Sequence, residues 1–290
     1  MRDLSIIYMR SFLPSITVII PCFNPPVSFL QETLESVRRS TFQNYAVLIV
    51  NDGSTDPAFL SALEPAQAAD PRLQVIHHPE NRGLSAARNT GVEHCTTPYF
   101  VQLDADDQLA PTFIEKCLWA LESHPEWSFC SAWVVGFGAK EYLWNKGFER
   151  GADFLVLNQV TATAVIRREA DRAIGGHDET IREGCEDWDY WLKMAAHGLW
   201  GGTIPEYLIC YRCHTPPTYW RNRDHWLYGL LFMIKLRRRY PRLWKEGFPF
   251  PCVIPSMQSL PGPVYWYRVL RQTLYRLRLG VARRFSPNAA

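Results

Sequence analysis

Residues 98–107 read PYFVQLDADD. The stretch starts as a short apolar run of strand-forming residues and ends in a D-x-D, Asp104 and Asp106. At the end of a buried strand those two carboxylates would sit near one point. Hard oxygen ligands of this kind suit Mg2+ or Mn2+, which proteins usually hold by one or two carboxylates while substrate phosphates supply the rest. Taken alone, the letters also fit a polar loop with Asp107 near a helix N-terminus. The surrounding chain has to decide.

SITVIIP (15–21), YAVLIVND (45–52) and LQVIHH (73–78) are runs of the same kind. Continuous apolar runs rich in β-branched residues indicate strands buried on both faces, as in a parallel sheet. Helical stretches around 28–40, 84–95 and 111–123 fall between them. Strand, helix and strand at this spacing predict βαβ units in a doubly wound α/β sheet. Ligands of such sheets bind outside the carboxyl ends of the strands. Asn24 follows the first strand, Asp52 ends the second, and Asp104 and Asp106 end the fourth. Three strands ending in an acid or amide make those ends the candidate site.

The second half is less regular. FLVLNQVTATAVIRREA (154–170) reads as a strand running into a helix, and GGHDE (175–179) as a turn. CEDWDYWLKMAAHG (185–198) reads as a helix with Gly198 at its C-cap, and GGTIPEYLICYRCH (201–214) as a strand. Pro249, Pro251, Pro255, Pro261 and Pro263 mark a linker. Beyond it, Trp266, Leu270, Leu274, Leu277 and Val281 share one side of a predicted helix, with Arg268, Arg271, Arg276, Arg278 and Arg283 on the other. The expected organisation is a body over 1–220 and a basic helical extension over 221–290, with the linker at 249–263.

Charge divides the same way. Residues 221–290 hold 14 Lys+Arg and 2 Asp+Glu, against 17 and 27 in residues 1–220. An acidic body of net −10 carries a tail of net +12, which points to an anionic partner for the tail. The 266–284 pattern, and MIKLRRRYPRLWK at 233–245, are those of a helix lying in a membrane surface. A solvated helix, a dimer contact and a helix capping the acidic body are the competing readings. No nucleic-acid-binding motif accompanies the charge, so nucleic acid is not an expected partner. No apolar run approaches the roughly 18 residues of a membrane span. The opening MRDLSIIYMRSFLPS lacks the apolar core of a secretory signal. The eight cysteines are scattered, mostly within apolar runs, as expected of reduced thiols in a reducing compartment. A cytoplasmic protein, peripheral on the membrane face, is the expectation.

Two more stretches carry chemistry. NDGSTD (51–56) is a turn by composition, or it sets Asp52 to accept hydrogen bonds from a base or sugar. NRGLSAARN (81–89) places Gly83 before a helix whose N-terminus favours phosphate, with Arg88 able to pair with carboxylate or phosphate. In order along residues 15–215, VIIPCFN, VNDGSTD, NRGLSAARN, VQLDADD, GGHDE, CEDWDYWLK and YRCH together resemble the family 2 glycosyltransferases, with their GT-A nucleotide-sugar fold.

The resemblance implies a GT-A type doubly wound mixed sheet with flanking helices, and it implies roles. Pro21, Phe23 and Asn24 look like the first nucleotide-binding loop, and Asp52 like the acid that binds the donor base. Gly83 falls in the donor-side loop, and Arg88 matches the Arg that braces the nucleotide. Asp104 resembles the ribose- and metal-side acid, and Asp106 the direct metal ligand. In CEDWD, Asp187 resembles the catalytic base, with Glu186 and Trp188 on the acceptor side; Cys185 matches no family position. Adjacent helical residues point different ways, so Glu186 and Asp187 should not share a role. The plainer reading of this segment is an amphipathic helix with Trp188, Trp191 and Leu192 in the core.

His214 matches a family His that can complete the metal site. Read alone, Cys210, Cys213 and His214 spell the C-x-x-C-H of haem attachment, or half of a zinc site. In an extended strand Cys213 and His214 face opposite ways, and the chain has no second C-x-x-C, so neither reading fits.

Sugar transfer from a nucleotide diphosphate needs charge neutralised on the leaving group, a base for the acceptor hydroxyl and both substrates in line. The expectation is an inverting glycosyltransferase using Mn2+ or Mg2+ and a nucleotide-diphosphate sugar, UDP-linked by preference. The acceptor would be a glycan or lipid-linked molecule in cell-surface polysaccharide synthesis, with 136–153 as a candidate wall. A nucleotidyltransferase is an alternative, although PCFNPP (21–26) offers no Gly-rich phosphate loop with a basic residue. A non-catalytic nucleotide-sugar-binding protein is another, which intact Asp104, Asp106 and Asp187 oppose.

Overall fold

The computed structural model describes residues 15–182, 184–214 and 225–250. Strands β1 (Ile16–Cys22), β2 (Tyr45–Asp52), β3 (Leu73–His78) and β4 (Tyr99–Gln102) run parallel in the order β3-β2-β1-β4. The sheet continues through β8 (Val165–Arg167), β6 (Phe129–Gly138), β9 (Gly202–Cys213) and β5 (Gln108–Leu109), with β7 (Tyr142–Trp144) paired to β6. β8 is antiparallel to both β4 and β6, so the sheet is mixed.

Helices α1 (Val27–Arg38), α2 (Pro57–Ala69), α3 (Leu84–His94) and α4 (Phe113–Ser123) serve the first half. A 3-10 segment (Phe148–Leu155), α5 (Arg168–Ile174) and α6 (Glu186–Ala196) serve the second. Two more, α7 (His225–Arg239) and α8 (Pro241–Lys245), follow.

β1 is buried along its whole length because both faces of the sheet are covered. Val18 and Ile20 belong to one buried cluster with Leu30, Leu34 and Phe113, and Ile19 to a second with Ala87, Phe100 and Trp191. That is why residues 15–21 read as continuously apolar rather than alternating. Gly91 lets α3 lie directly on β1, since a Cβ there would stand 2.3 Å from Ile19 Cγ2.

β1 pairs with β4 only as far as Ile19 opposite Gln102, and the last bond on that side runs from Leu103 N to Ile19 O. Pro21 follows where that ladder has ended, so its missing N–H costs nothing. The chain order reverses here, from β2 and β3 on one side of β1 to β4 on the other. This switch point opens the crevice expected of the fold.

Two expectations are corrected. The 154–170 segment is a strand running into a helix only from Val165 onward. Residues 148–155 form 3-10 turns, 156–164 lie in neither helix nor strand, and only Val165–Arg167 pair before α5. Phe148 and Phe154 stack at 5.5 Å and meet Trp200 edge-on, so an aromatic cluster, and no ladder, buries those apolar letters. Nor does the body end at 220. Phe232, Leu236 and Leu243 are buried in the same cluster as Trp188 and Trp191. Segment 233–245 therefore caps the acidic body on one side. The expected helix at 266–284, and the linker beyond 250, lie outside the described residues. Among the described residues no helix is long and apolar enough to cross a membrane.

Candidate active site

Arg88 is the hub of the crevice. It lies on α3 with its side chain 1% exposed, and it donates to Asp104 Oδ1 and Glu186 Oε1, both at 2.8 Å. One buried guanidinium thus joins the D-x-D after β4 to the first residue of α6. Burial pulls the Arg88 pKa down, but the charges of Asp104 and Glu186 outweigh it and hold the group above its ordinary value. Glu186, expected on the acceptor side, pairs with Arg88.

Asp106 and His214 meet at the end of β9. His214 Nε2 stands 2.6 Å from Asp106 Oδ2, with both side chains about a third exposed. Arg212 aligns the loop: its backbone N–H donates to Asp107 Oδ1 at 2.8 Å and its Nε to the Asp106 carbonyl at 2.9 Å. Its guanidinium lies over Phe29 at 4.1 Å and Phe137 at 4.5 Å. Burial, then the charge of Asp104, raises the Asp106 pKa, with His214 opposing. Burial, then Asp106 and Asp104, raises that of Asp107 further. Three acids crowded in this way would be relieved by a cation. A carboxylate facing an imidazole suits Mn2+, and Asp104 stands beside them. Among the described residues no three His, Cys, Asp or Glu are grouped to hold a metal by themselves. The donor set therefore fits a cation whose other ligands come from substrate phosphates.

Asp187 opens α6 beside Glu186. Asn158 Nδ2 donates to its Oδ2 and Trp188 N to its Oδ1, each at 2.8 Å. Burial, then the charge of Glu186, raises its pKa to about 7, against Arg88 and the two hydrogen bonds. An acid so tuned is half ionised near neutrality, as a general base requires. Cys185, one residue earlier, adopts φ 64° at the N-cap and turns the chain into α6.

Other expected residues sit differently. Asp52 is 3% exposed and its oxygens are taken by His78 Nδ1 (2.7 Å), Arg82 N (2.9 Å) and Gly83 N (2.8 Å). It lies beneath the 82–83 loop and shapes it, because a buried carboxylate needs those donors. Asn24 takes φ 50°, and its Oδ1 accepts from Thr55 N and Asp56 N at 2.8 Å, stitching the β1 loop to the β2 loop. Phe23 stands 54% exposed past the end of β1, and Pro21 is buried within β1. Trp188 is no acceptor wall: it is 3% exposed, and its Nε1 donates to the Phe154 carbonyl at 2.6 Å, which satisfies the indole in the core. Asn158 and Arg212 have site contacts that sequence reading did not assign. Asn158 lies in a segment without period, and Arg212 was visible only as a letter of YRCH. Cys210 and Cys213 lie along β9 itself.

The first family model, Glycosyl transferase family 2, matches residues 17–175, more than half of the chain. The chain belongs to glycosyl transferase family 2. A second model, Glycosyl transferase family group 2, matches residues 99–278. This family 2 chain is 33% identical over 219 residues to an uncharacterized glycosyltransferase of Haemophilus influenzae, covering 69% of the chain and 66% of the relative. It is 28% identical over 188 residues to an uncharacterized protein of Sinorhizobium fredii, covering 62% and 20%. A teichoic acid poly(glycerol phosphate) polymerase of Staphylococcus epidermidis is 38% identical over 95 residues, covering 33% and 13%. The chain thus spans less than two thirds of the length of each of these curated relatives. Among solved structures, S. aureus TarS 1–349 with UDP-GlcNAc superposes with a TM-score of 0.62 at 14% identity, covering 77% of this chain and 66% of that one. A mannosyltransferase of Pyrobaculum calidifontis with GDP-Man and Mn2+ gives 0.60 at 19%, covering 82% and 70%. The mixed α/β sheet is that of the GT-A transferases.

Proposed function

We propose that this glycosyltransferase is metal-dependent and inverting, and moves a sugar from a nucleotide diphosphate to a glycan or lipid-linked acceptor. The observation that carries the reading is Asp187, an acid raised to about 7 at the start of a helix tied through Glu186 and Arg88 to Asp104. Asp187 takes the proton of the acceptor hydroxyl as that oxygen bonds to the anomeric carbon. The bond from that carbon to the diphosphate breaks on the opposite face, so one displacement inverts the centre. Glu186 is committed to Arg88, so a second carboxylate nucleophile is neither needed nor free. Asp106 and His214, with Asp104 beside them, are the residues that would hold Mn2+ or Mg2+. When bound there, the cation supplies positive charge for the leaving diphosphate. Asp52 keeps the 82–83 loop and its backbone amides in shape at the N-terminus of α3, where phosphate is favoured.

The nucleotide sugars bound by the solved relatives support a UDP- or GDP-linked donor, with UDP preferred. The basic C-terminal segment and the S. epidermidis relative support an acceptor in cell-surface polysaccharide synthesis, met at the cytoplasmic membrane face. The test is Asp187→Asn. Turnover of the nucleotide sugar, followed by diphosphate release with Mn2+, should fall about 10²–10⁴-fold while calorimetric nucleotide affinity stays within twofold. An Asn variant as fast as the parent, or a parent inert across a broad donor panel, overturns the reading.

A further inference from the structure

α7 has two faces with opposite business. Its inner face carries Phe232 and Leu236, 5% and 0% exposed, into the core. Its outer face keeps Leu230, Leu231 and Ile234 at 43%, 55% and 38% exposure, with Lys235, Arg237 and Arg238 also exposed. At 100° per residue, Arg237, Leu230, Ile234, Arg238, Leu231 and Lys235 follow one another around an arc of about 160°. Three apolar side chains interspersed with three cations, and no acid among residues 225–239, is the composition of a helix seated in a lipid interface.

We propose that this outer face of α7 docks on an anionic bilayer surface, and so sets the lipid plane beside the start of the α6 helix. Two other occupants fit less well. Residues 251–290 contain six arginines and no Asp or Glu, so the chain's own tail would meet the face with like charge. An acidic polymer would satisfy the cations and leave three exposed aliphatic side chains without a partner.

The place of the face gives it consequence. Tyr228 donates to the Gly184 carbonyl at 3.3 Å, and the Phe232 ring stands 6.1 Å from that of Trp188. The inner face of α7 therefore touches the turn that launches Asp187, about one helix diameter, ~10 Å, from the outer face. An acceptor head group at the lipid surface is thereby brought near the proposed base. That consequence rests on the reading of Asp187 given above; the docking does not.

The test is co-sedimentation of the full chain with vesicles of phosphatidylglycerol and phosphatidylcholine, against vesicles of phosphatidylcholine alone. Two variants are compared, Arg237→Gln with Arg238→Gln, and Leu231→Gln with Ile234→Gln. Their thermal melts and nucleotide affinity are followed in parallel. The parent should bind the anionic vesicles, lose them at high salt and leave the neutral ones in solution. Neutralising two cations should weaken partitioning about 25-fold, at roughly fivefold per basic residue. The aliphatic pair should weaken it at least tenfold, with melting and nucleotide affinity unchanged in both. Equal binding to neutral vesicles, no binding by the parent, or full binding by both variants overturns the proposal. So does binding that survives the aliphatic change and is competed away by polyglutamate, which would assign the face to an acidic protein. Vesicle binding by a parent that turns over no donor would sink the catalytic reading and leave the docking standing.

Discussion

Arg88 and Arg239 each bridge a carboxylate in the first turn of α6 to one outside that helix, and they do so with the burial reversed. Arg88 is 1% exposed, while its partners Asp104 and Glu186 are 35% and 12% exposed. Arg239, at the end of α7, is 31% exposed, while its partners Asp178 and Asp189 are 16% and 1%. At the crevice the cation is locked in and Asp104 looks outward. At the clasp the acid is locked in and the cation looks outward. A buried charge cannot be left unpaired, but an outward one can be shared with a ligand. The Arg88 cluster can thus offer the Asp104 carboxylate to a substrate or cation without releasing its own core. The Arg239 cluster is built to hold two elements together.

Removing the buried cation should hurt most. Arg88→Ala leaves Asp104 and Glu186 facing each other across a void, and should cost about 3–5 kcal/mol in denaturant unfolding. A loss no larger than that of Arg239→Gln would erase the difference between the two clusters. Arg239→Gln strands Asp189 with Tyr240 alone, whose hydroxyl lies 3.1 Å from Oδ1. It should cost about 2 kcal/mol. Burial already raises the Asp189 pKa, with Arg239 opposing it. Without Arg239 the acid rises further, and a raised carboxyl loses stability as pH climbs. The penalty should accordingly be larger at pH 8 than at pH 5; a penalty independent of pH would contradict this account.

The remaining changes are smaller. Parent turnover should rise with pH along a limb centred near 7, because the Asp187 base works only when ionised. Glu186→Gln removes a charge that raises Asp187, so the limb should move to lower pH while the fold persists. A limb that stays in place separates Glu186 from the base. The same raised carboxyl favours the folded state only at low pH. That contribution is lost between the ordinary carboxyl value of 3.8 and about 7, a loss Asp187→Asn should not show. Cys185→Gly, at φ 64°, should shift stability by only about 0.5–1 kcal/mol, upward by relief of left-handed strain. A fall in melting temperature would mean that the thiol's contacts outweigh the strain.

The parts readable from sequence share one physical property. β1, β2 and β4 are short apolar runs whose ends carry Asn24, Asp52, Asp104 and Asp106, so local pattern and chain order place them together. The D-x-D was legible for that reason, whereas the Glu-Asp pair was legible only through the family resemblance. Asn158 was not, because 156–164 has neither period, and its meaning comes only from a partner 29 residues away. Trp188 was misplaced because a helix beginning with acids hides which side is covered. The covering element, α7, lies more than 35 residues downstream behind a change in charge. Likewise Asp52 looked like an open ligand until the 82–83 amides closed over it.

By itself the sequence determined the parallel half-sheet, its switch point and the identity of the acids at the strand ends, because these follow from periodicity over a few residues. It also determined that YRCH ends a strand, so His214 and not the cysteines carries the interest. Only the tertiary structure decided which acids are paired and which are free. Arg88 takes Glu186 and leaves Asp187; His214 reaches Asp106 across 108 residues; a basic segment read as tail becomes a wall of the core. Ionisation and burial depend on what surrounds a group in space, and no local pattern records that.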